Sequence, residues 1–429
     1  MTADFAKLID SAATEPASPV ALRVLPPESW ARLAAGDATA RFLGLWIARD
    51  RVHALFEHNG SLLFLASPLV EGRYAALSPG WTLAAWFERL AHDLTGAIAD
   101  NAADTRPAIR HGVAGTDAAW PRFIETPGEG FYQIGQGPVS GLIATPAHRR
   151  FTLDGARIAR LEHRLGYAHR GILALMRGKS PRAAARFAAR IAGGATVAHA
   201  LAFARAAEAA SGTTAPPRAE TLRAIMLNIE RITSDLSALA ATAEAAGHLR
   251  RATVLGRVRA EIAAALALVF GHRLMMDLVV PGGLAADARP DEFPRLTAAL
   301  AAASRAVRGI GCASVRRDLR GAAPLALARA RSAINLAATA RDALAALPEG
   351  IIAHPLPAAT GMAIGAAASA TGMIHHWVML EAGQIADVFV IDPATRLLPA
   401  LEAASVGMNF DEFALLSEIY GISFGAVDL

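Results

Sequence analysis

Arg190-Ile-Ala-Gly-Gly-Ala-Thr-Val-Ala-His199, continued by Ala-Leu-Ala-Phe-Ala-Arg-Ala-Ala-Glu208, is the stretch on which the reading of this chain turns. Apolar positions at helical spacing from Ser180 to Ala210 predict a helix, with Pro181 suited to a first turn and Gly212 to a C-cap. Only a few polar groups interrupt the alanines. Two of them, His199 and Glu208, invite comparison of a chemical role with a purely packing one. A neutral imidazole can relay a proton near pH 7, and it can equally sit satisfied in a core or cap a helix.

Outward from this segment the helical pattern continues. Helices are predicted over Gly155–Leu175, Pro217–Ala246, Leu249–Val279, Asp291–Val307 and Ala323–Ala346, with Gly247 as a further C-cap. From Met362 to Leu429 the pattern predicts strands first and a helix near Phe410 to Leu416. Towards the N-terminus the texture changes. Glu28–Ala35 suits a short helix. Arg41–Ala48, Val52–Glu57 and Ser61–Ala66 read as strands, with Asn59-Gly60 as a hairpin turn, and Leu83–Leu94 as a helix. Periodicity is lost across Asp117–Gly137, which reads as a linker, and Pro138–Asp154 is strand-like. The fold class expected is therefore α+β. Residues 1–24 form a loose N-terminus and 25–116 a small α/β domain. The linker is 117–137, and 138–429 is a mainly helical domain with peripheral strands.

Composition narrows the function classes. The chain has 429 residues and a net charge of +4, and 53% of it is hydrophobic, much of that alanine. Its most apolar runs are too short, or too interrupted, for the roughly 20 apolar residues of a spanning helix. The N-terminus lacks the apolar core of a signal peptide, and a cytoplasmic location is expected. Arginines are scattered without interleaved aromatics, which points to solvated helix faces and ion pairs rather than to nucleic acid. The single cysteine, Cys312, excludes an internal disulfide and a cysteine-held cluster, and it reads as a small core residue. Adjacent His375 and His376 do not readily share one metal.

Two further groups of motifs bear on family. The first is Trp86-Phe-Glu-Arg89-Leu-Ala-His-Asp93-Leu-Thr-Gly96 with Asp104-Thr-Arg106-Pro107-Ala-Ile-Arg-His111-Gly112. It is similar to the E-R-E-x-x-D-L-x-G and D-x-R-P-L-x-x-H pattern of the thirty-kilodalton subunit of complex I. The second begins with Gly137-Pro138-Val139 and runs through Pro146-Ala-His148-Arg-Arg150-Phe151 to Leu165-Gly-Tyr-Ala-His169-Arg170-Gly171. Pro217-Arg218-Ala-Glu220 to Glu230-Arg231, Gly271-His272-Arg273 with Asp277, and Pro281-Gly-Gly283 extend it. This second set resembles the forty-nine-kilodalton subunit of complex I and the nickel–iron hydrogenase large subunits, whose R-x-C-G-x-C-x-x-x-H frame is similar to Arg190–His199. A unit like the thirty-kilodalton subunit, placed ahead of one like the forty-nine-kilodalton subunit, resembles the large subunits of formate-hydrogenlyase-type, membrane-bound hydrogenases.

The resemblance also shows what is missing. Where the family frame has cysteines this chain has Ala192 and Ala195, and its end, Tyr420-Gly-Ile-Ser-Phe-Gly-Ala-Val-Asp428-Leu429, contains none. A soft nickel–iron centre needs thiolates, so no metal and no cluster are expected on this chain. The quinone-binding pattern of complex I is depleted too. Its histidine falls on Ser140 and its tyrosine on Gly193. The glutamate before the loop proline falls on Thr145, and the E-A-P-R/K-G motif on Ala368-Ser-Ala-Thr371-Gly372.

Among the survivors, His148, His169 and His199 are the candidates for a proton relay or a carrier contact. Arg170, Arg190, Glu208, Arg218, Arg223, Glu230, Arg231, His272, Arg273 and Asp277 are expected to be structural. Arg218, Arg223, Glu230 and Arg231 are expected to form buried ion pairs, and Arg273–Asp277 an i, i+4 helical pair. The resemblance implies a degenerate scaffold and coupling subunit, peripheral on the inner face of the cell membrane. Its partners would be an iron–sulfur small subunit and antiporter-like membrane subunits. The alternative is an active subunit passing a partner's electrons to a quinone or similar carrier in a remodelled cavity.

Overall fold

The computed structural model describes residues 8–9, 12–109, 123–124, 126, 128–139, 145–308 and 323–429. The N-terminal region carries β1 (Ala13–Glu15), β2 (Leu22–Val24), α1 (Pro27–Arg32), β3 (Ala40–Ala48), β4 (Arg51–His58), β5 (Ser61–Pro68), β6 (Arg73–Ala75), α2 (Ala84–Thr95) and β7 (Ile98–Asp100). Five strands form one sheet in the order β1-β2-β5-β4-β3, antiparallel except for β2 with β5. The hairpin joining β4 to β5 turns at Asn59-Gly60, both left-handed (φ 51° and 76°), as the twist of the flanking strands requires.

Next come β8 (Phe131–Gln136), β9 (His148–Asp154) and β10 (Arg157–Arg164), an antiparallel sheet in the order β10-β9-β8. Two expectations fail here. The segment read as a linker contributes β8, and the helix expected from Gly155 is instead strand β10 followed by a short α3 (Ile172–Met176). The charges of β10 hid its character. Glu162 and Arg164 are buried, and Glu162 receives Arg164 at 2.7 Å and Arg106 at 2.9 Å.

The helical body follows: α4 (Pro181–Ala188), α5 (Thr196–Ser211), α6 (Pro217–Ala245), α7 (Leu249–Phe270), α8 (Phe293–Arg308) and α9 (Ala323–Ala345), with a small ribbon of β11 (Val279–Val280) and β12 (Gly283–Leu284) between α7 and α8. The helix expected over Ser180–Ala210 is broken at Arg190–Ala195, around Gly193-Gly194. The helix expected to reach Val279 stops at Phe270, capped by Gly271 in the left-handed region (φ 78°). Beyond β13 (Gly361–Ala368), β14 (Met373–Glu381) and β15 (Gln384–Ile391), an antiparallel sheet, lie α10 (Ala394–Ser405), α11 (Phe410–Tyr420) and α12 (Phe424–Asp428). The sequence pattern missed α10, which carries Pro399 inside it.

The architecture is α+β, a β-rich N-terminal region followed by a helical body. Helix α5 is its centre, buried along nearly its whole length and packed against β13 and β14. That packing needs a bare backbone: a methyl on Gly365 of β13 would lie 2.1 Å from the Ala202 carbonyl oxygen. The N-terminal sheet shares the same apolar core, with Trp46 of β3 stacked 5.3 Å from Phe389 of β15.

Candidate functional site

The Arg190–Ala195 break lies between α4 and α5. Ala192 and Ala195 are buried, with 4% and 8% exposure, whereas a side chain at Gly193 would meet open space. The first turn of α5 leaves orphan amides, and Glu230 of α6 satisfies two of them. Val197 N–H donates to its Oε1 at 2.6 Å and Ala198 N–H to its Oε2 at 2.9 Å. Burial pushes this carboxyl up to about 8, against the pull of those amides. Glu230 is thus a helix cap delivered from a neighbouring helix and not half of the expected ion pair.

His199, fully buried on α5, has its Nδ1 3.0 Å from Nε2 of His376 on β14, and its Nε2 lies 3.2 Å from Asp392 Oδ2, off the line of a hydrogen bond. Strand alternation turns His376 to α5 and His375 to the opposite face. Burial and the neighbouring imidazoles hold His376 far below the ordinary histidine range, so it is neutral.

The loop after β10 is tied to the chain's end. Gly166 and Ala168 N–H groups each donate to the buried Asp428 carboxylate at 2.8 Å, and His169 Nδ1 donates to the Asp428 carbonyl at 2.6 Å. Arg170 donates to the Arg190 carbonyl (2.7 Å), the Ile191 carbonyl (2.8 Å) and the Gly425 carbonyl (3.2 Å). Thr145 abuts Gly425, and Thr371 lies beside Gly421 in a turn where Ser369 Oγ donates to the Gly372 carbonyl at 2.8 Å. Ala368 ends β13 opposite Met373. The loop bearing Arg170 and the segment bearing Gly425 thus meet at Arg190–Ile191. Ser140, His111 and Cys312 lie outside the described residues.

The three candidate histidines have separate partners. His169 holds the C-terminal segment and His199 meets His376. His148, on β9, packs edge-on to Phe123 at 4.8 Å, and burial with the Arg150 charge lowers its pKa.

The structural set is partly rearranged. Arg223, fully buried, meets Glu208 at 2.6 Å and Glu220 at 2.6 Å, and it also donates to the Val280 and Gly283 carbonyls at 2.7 and 2.9 Å. Glu208 further accepts Gly282 N–H at 2.7 Å, so this pair welds α5, α6 and the β11–β12 turn. Arg218 reaches Asp287 at 3.0 Å rather than a helical neighbour. Arg231 adds positive charge near buried Asp235, whose ion pair at 2.8 Å is with Arg329. The Arg273–Asp277 pair does not form, because the helix has ended. Arg273 is exposed, Asp277 is left-handed (φ 64°), and its carboxylate takes two hydrogen bonds from Arg190 at 2.5 and 2.7 Å. His272 Nδ1 instead accepts Leu274 N–H at 3.1 Å.

The sequence reading missed Asp392, Asp428 and the Asp235–Arg329 pair. Lone charges in apolar stretches were the available signal. Motif residues of the N-terminal region serve assembly: Asp93 accepts the Ala108 and Ile109 amides at 2.9 and 2.8 Å, and Arg106 bridges to Glu162. Among the described residues no group of three or more His, Cys, Asp or Glu could hold a metal ion.

Residues 170–236 match the nickel-dependent hydrogenase family. The chain is 30% identical over 173 residues to hydrogenase-4 component G of Escherichia coli K12, covering 40% of this chain and 31% of that protein. It is 31% identical over 177 residues to an NADH-quinone oxidoreductase subunit of Saccharopolyspora erythraea, covering 41% and 39%. These matches thus span under two fifths of either relative. A chain of the membrane-bound sulfane sulfur reductase, an archaeal respiratory membrane complex, superposes with a TM-score of 0.61 at 15% identity, covering 70% of this chain and 99% of that one. The chain is thus similar, over residues 170–236 and the stretches around them, to nickel-dependent hydrogenases and to a subunit of NADH-quinone oxidoreductase, and it shares its fold with a chain of a respiratory membrane complex.

Proposed function

We propose that this chain is a metal-free large-subunit component of a membrane-associated complex of the hydrogenase/complex I type, acting as scaffold and coupling subunit. The observation that carries this reading is the Arg170 bridge. The segments that bear metal ligands in the resembling hydrogenases are here joined by the protein's own hydrogen bonds, from Arg170 to Arg190, Ile191 and Gly425. The donor set does not fit a nickel–iron centre. Ala192 and Ala195 offer methyl groups, and the segment from Tyr420 to Leu429 offers no thiolate. No step through such a centre is therefore derived.

Carrier reduction, the rival reading, needs a hydrogen-bonding group open to the carrier. His199 is fully buried against His376, and the Nδ1 of His169 is committed to Asp428, which favours the scaffold. On this reading residues 25–116 are a unit like the thirty-kilodalton subunit, fused ahead of the larger body and braced on it by Arg106–Glu162. The partners proposed are an iron–sulfur small subunit and antiporter-like membrane subunits.

The test is purification of the tagged chain from its own membranes under mild detergent, followed by metal analysis and identification of what accompanies it. Substoichiometric nickel with co-purifying iron–sulfur and membrane subunits is expected. Nickel at one equivalent per chain overturns the metal-free role, and a chain recovered alone overturns the complex. Saturable binding of a quinone analogue, abolished by His169→Ala, would favour the rival.

A further inference from the structure

The far end of the helical body, where α6 turns into α7, carries an unusual surface. A groove of about 720 Å³ runs between this turn and the last turn of α8, lined by His248, Leu249, Arg250, Arg251, Val254 and Arg305. Leu249 is 63% exposed and Val254 40% exposed. Arg250 and Arg305 are exposed and Arg251 partly so, and none of the three meets a carboxylate among the described residues. Other arginines of the chain do meet carboxylates, as at Arg106, Arg190, Arg218, Arg223 and Arg329. Among the described residues no acidic side chain lines the groove.

We propose that this end of the bundle docks on an anionic phospholipid surface, its arginines on headgroup phosphates and Leu249 and Val254 in the headgroup–acyl boundary. Charge and apolarity are both needed for that choice. Arginine pairs well with phosphate, and exposed aliphatic side chains set among arginines are what an interfacial segment buries. A free phosphate would leave Leu249 and Val254 without purpose. The proposal deepens the membrane-associated reading above but needs none of the partner subunits, so the two can fail separately. No helix among the described residues is long and apolar enough to cross a membrane, so contact here is superficial.

The test is flotation of the purified full chain with vesicles of phosphatidylcholine alone and of phosphatidylcholine with about one quarter phosphatidylglycerol, at low and high salt. Binding only to the anionic vesicles, and loss at high salt, is expected. Each arginine near such a surface contributes roughly a fivefold change in partitioning, so the triple variant Arg250→Gln/Arg251→Gln/Arg305→Gln should bind on the order of 100-fold less. Leu249→Ser should weaken binding while leaving its salt dependence in place. Circular dichroism checks that both variants are folded, and the exposed positions make that the expected result. Equal binding to neutral vesicles, no binding to anionic ones, or full binding by a folded triple variant overturns the proposal. Binding to poly-L-glutamate without binding to anionic vesicles also overturns it, in favour of an acidic protein partner.

Discussion

The Arg223–Glu208 pair offers the most direct test of how this body is held together. Arg223 is fully buried and Glu208 nearly so, and between them they satisfy Glu220, the Val280 and Gly283 carbonyls and the Gly282 amide. Arg223→Met leaves the Glu208 carboxylate buried with one amide donor, and uncompensated buried charge costs about 3–5 kcal/mol. Against a total stability of roughly 5–15 kcal/mol, that is a large share. Glu208→Met strands the guanidinium in the same way. Because the loss in each single variant comes mainly from the partner left behind, the double variant should cost less than the sum, with a coupling of about 2–3 kcal/mol. The assay is urea unfolding followed by circular dichroism at pH 7 for the wild type, both single variants and the double variant. Costs that simply add, with a coupling below about 0.5 kcal/mol as for independent sites, would refute the claim that the two charges depend on each other. The exposed Arg190–Asp277 pair is the internal control. Its side chains are 44% and 48% exposed, and Arg190→Gln should cost no more than about 1 kcal/mol despite the two-bond geometry.

Other outcomes follow from the same structure. Burial raises the Glu230 carboxyl to about 8, so the folded state holds a proton there that the unfolded chain releases near 4.5; this stabilisation is full in acid and lost as pH rises through 8. Glu230→Gln should therefore flatten the pH dependence of the urea midpoint between pH 5 and 9, and an unchanged slope refutes the assignment. His53, pushed by burial down to about 3, works the other way, since its neutral form stabilises the fold above 6.5 and the benefit is lost as pH falls. His53→Phe, which keeps the stack on Trp46, should lessen the acid sensitivity of thermal unfolding between pH 6.5 and 4. Gly365→Ala should destabilise by about 3 kcal/mol or more, through a clash with α5 that no rotamer can relieve, and a soluble variant with an unchanged melting point sinks that reading of the packing.

Much of the fold was legible because its signals are local. The period of Pro217–Ala245, the left-handed turn at Asn59-Gly60 and the short apolar runs of β3–β5 depend on residues a few positions apart, and the structure places them as read. Failures occurred where distant partners overrode local pattern. β10 reads as polar only until Arg106, on the other side of the linker, is seen to neutralise Glu162. The i, i+4 spacing of Arg273 and Asp277 suggested a helical pair, yet Gly271 ends the helix and Arg190, far earlier in the chain, takes the carboxylate.

The candidate site divides in the same way. The residue types at the positions resembling the hydrogenase frame are read from the sequence alone: alanine at 192 and 195, and no cysteine from 420 to 429. Those are statements about chemistry that no packing can reverse, because a methyl group has no lone pair to give a metal. What the surviving polar groups do was settled by packing. Glu230 became a helix cap, His169 a clamp on the C-terminal segment, and His199 one half of a buried imidazole pair. A side chain's role depends on which donor or acceptor stands about 3 Å away, and in this fold that group usually belongs to a segment tens or hundreds of residues distant.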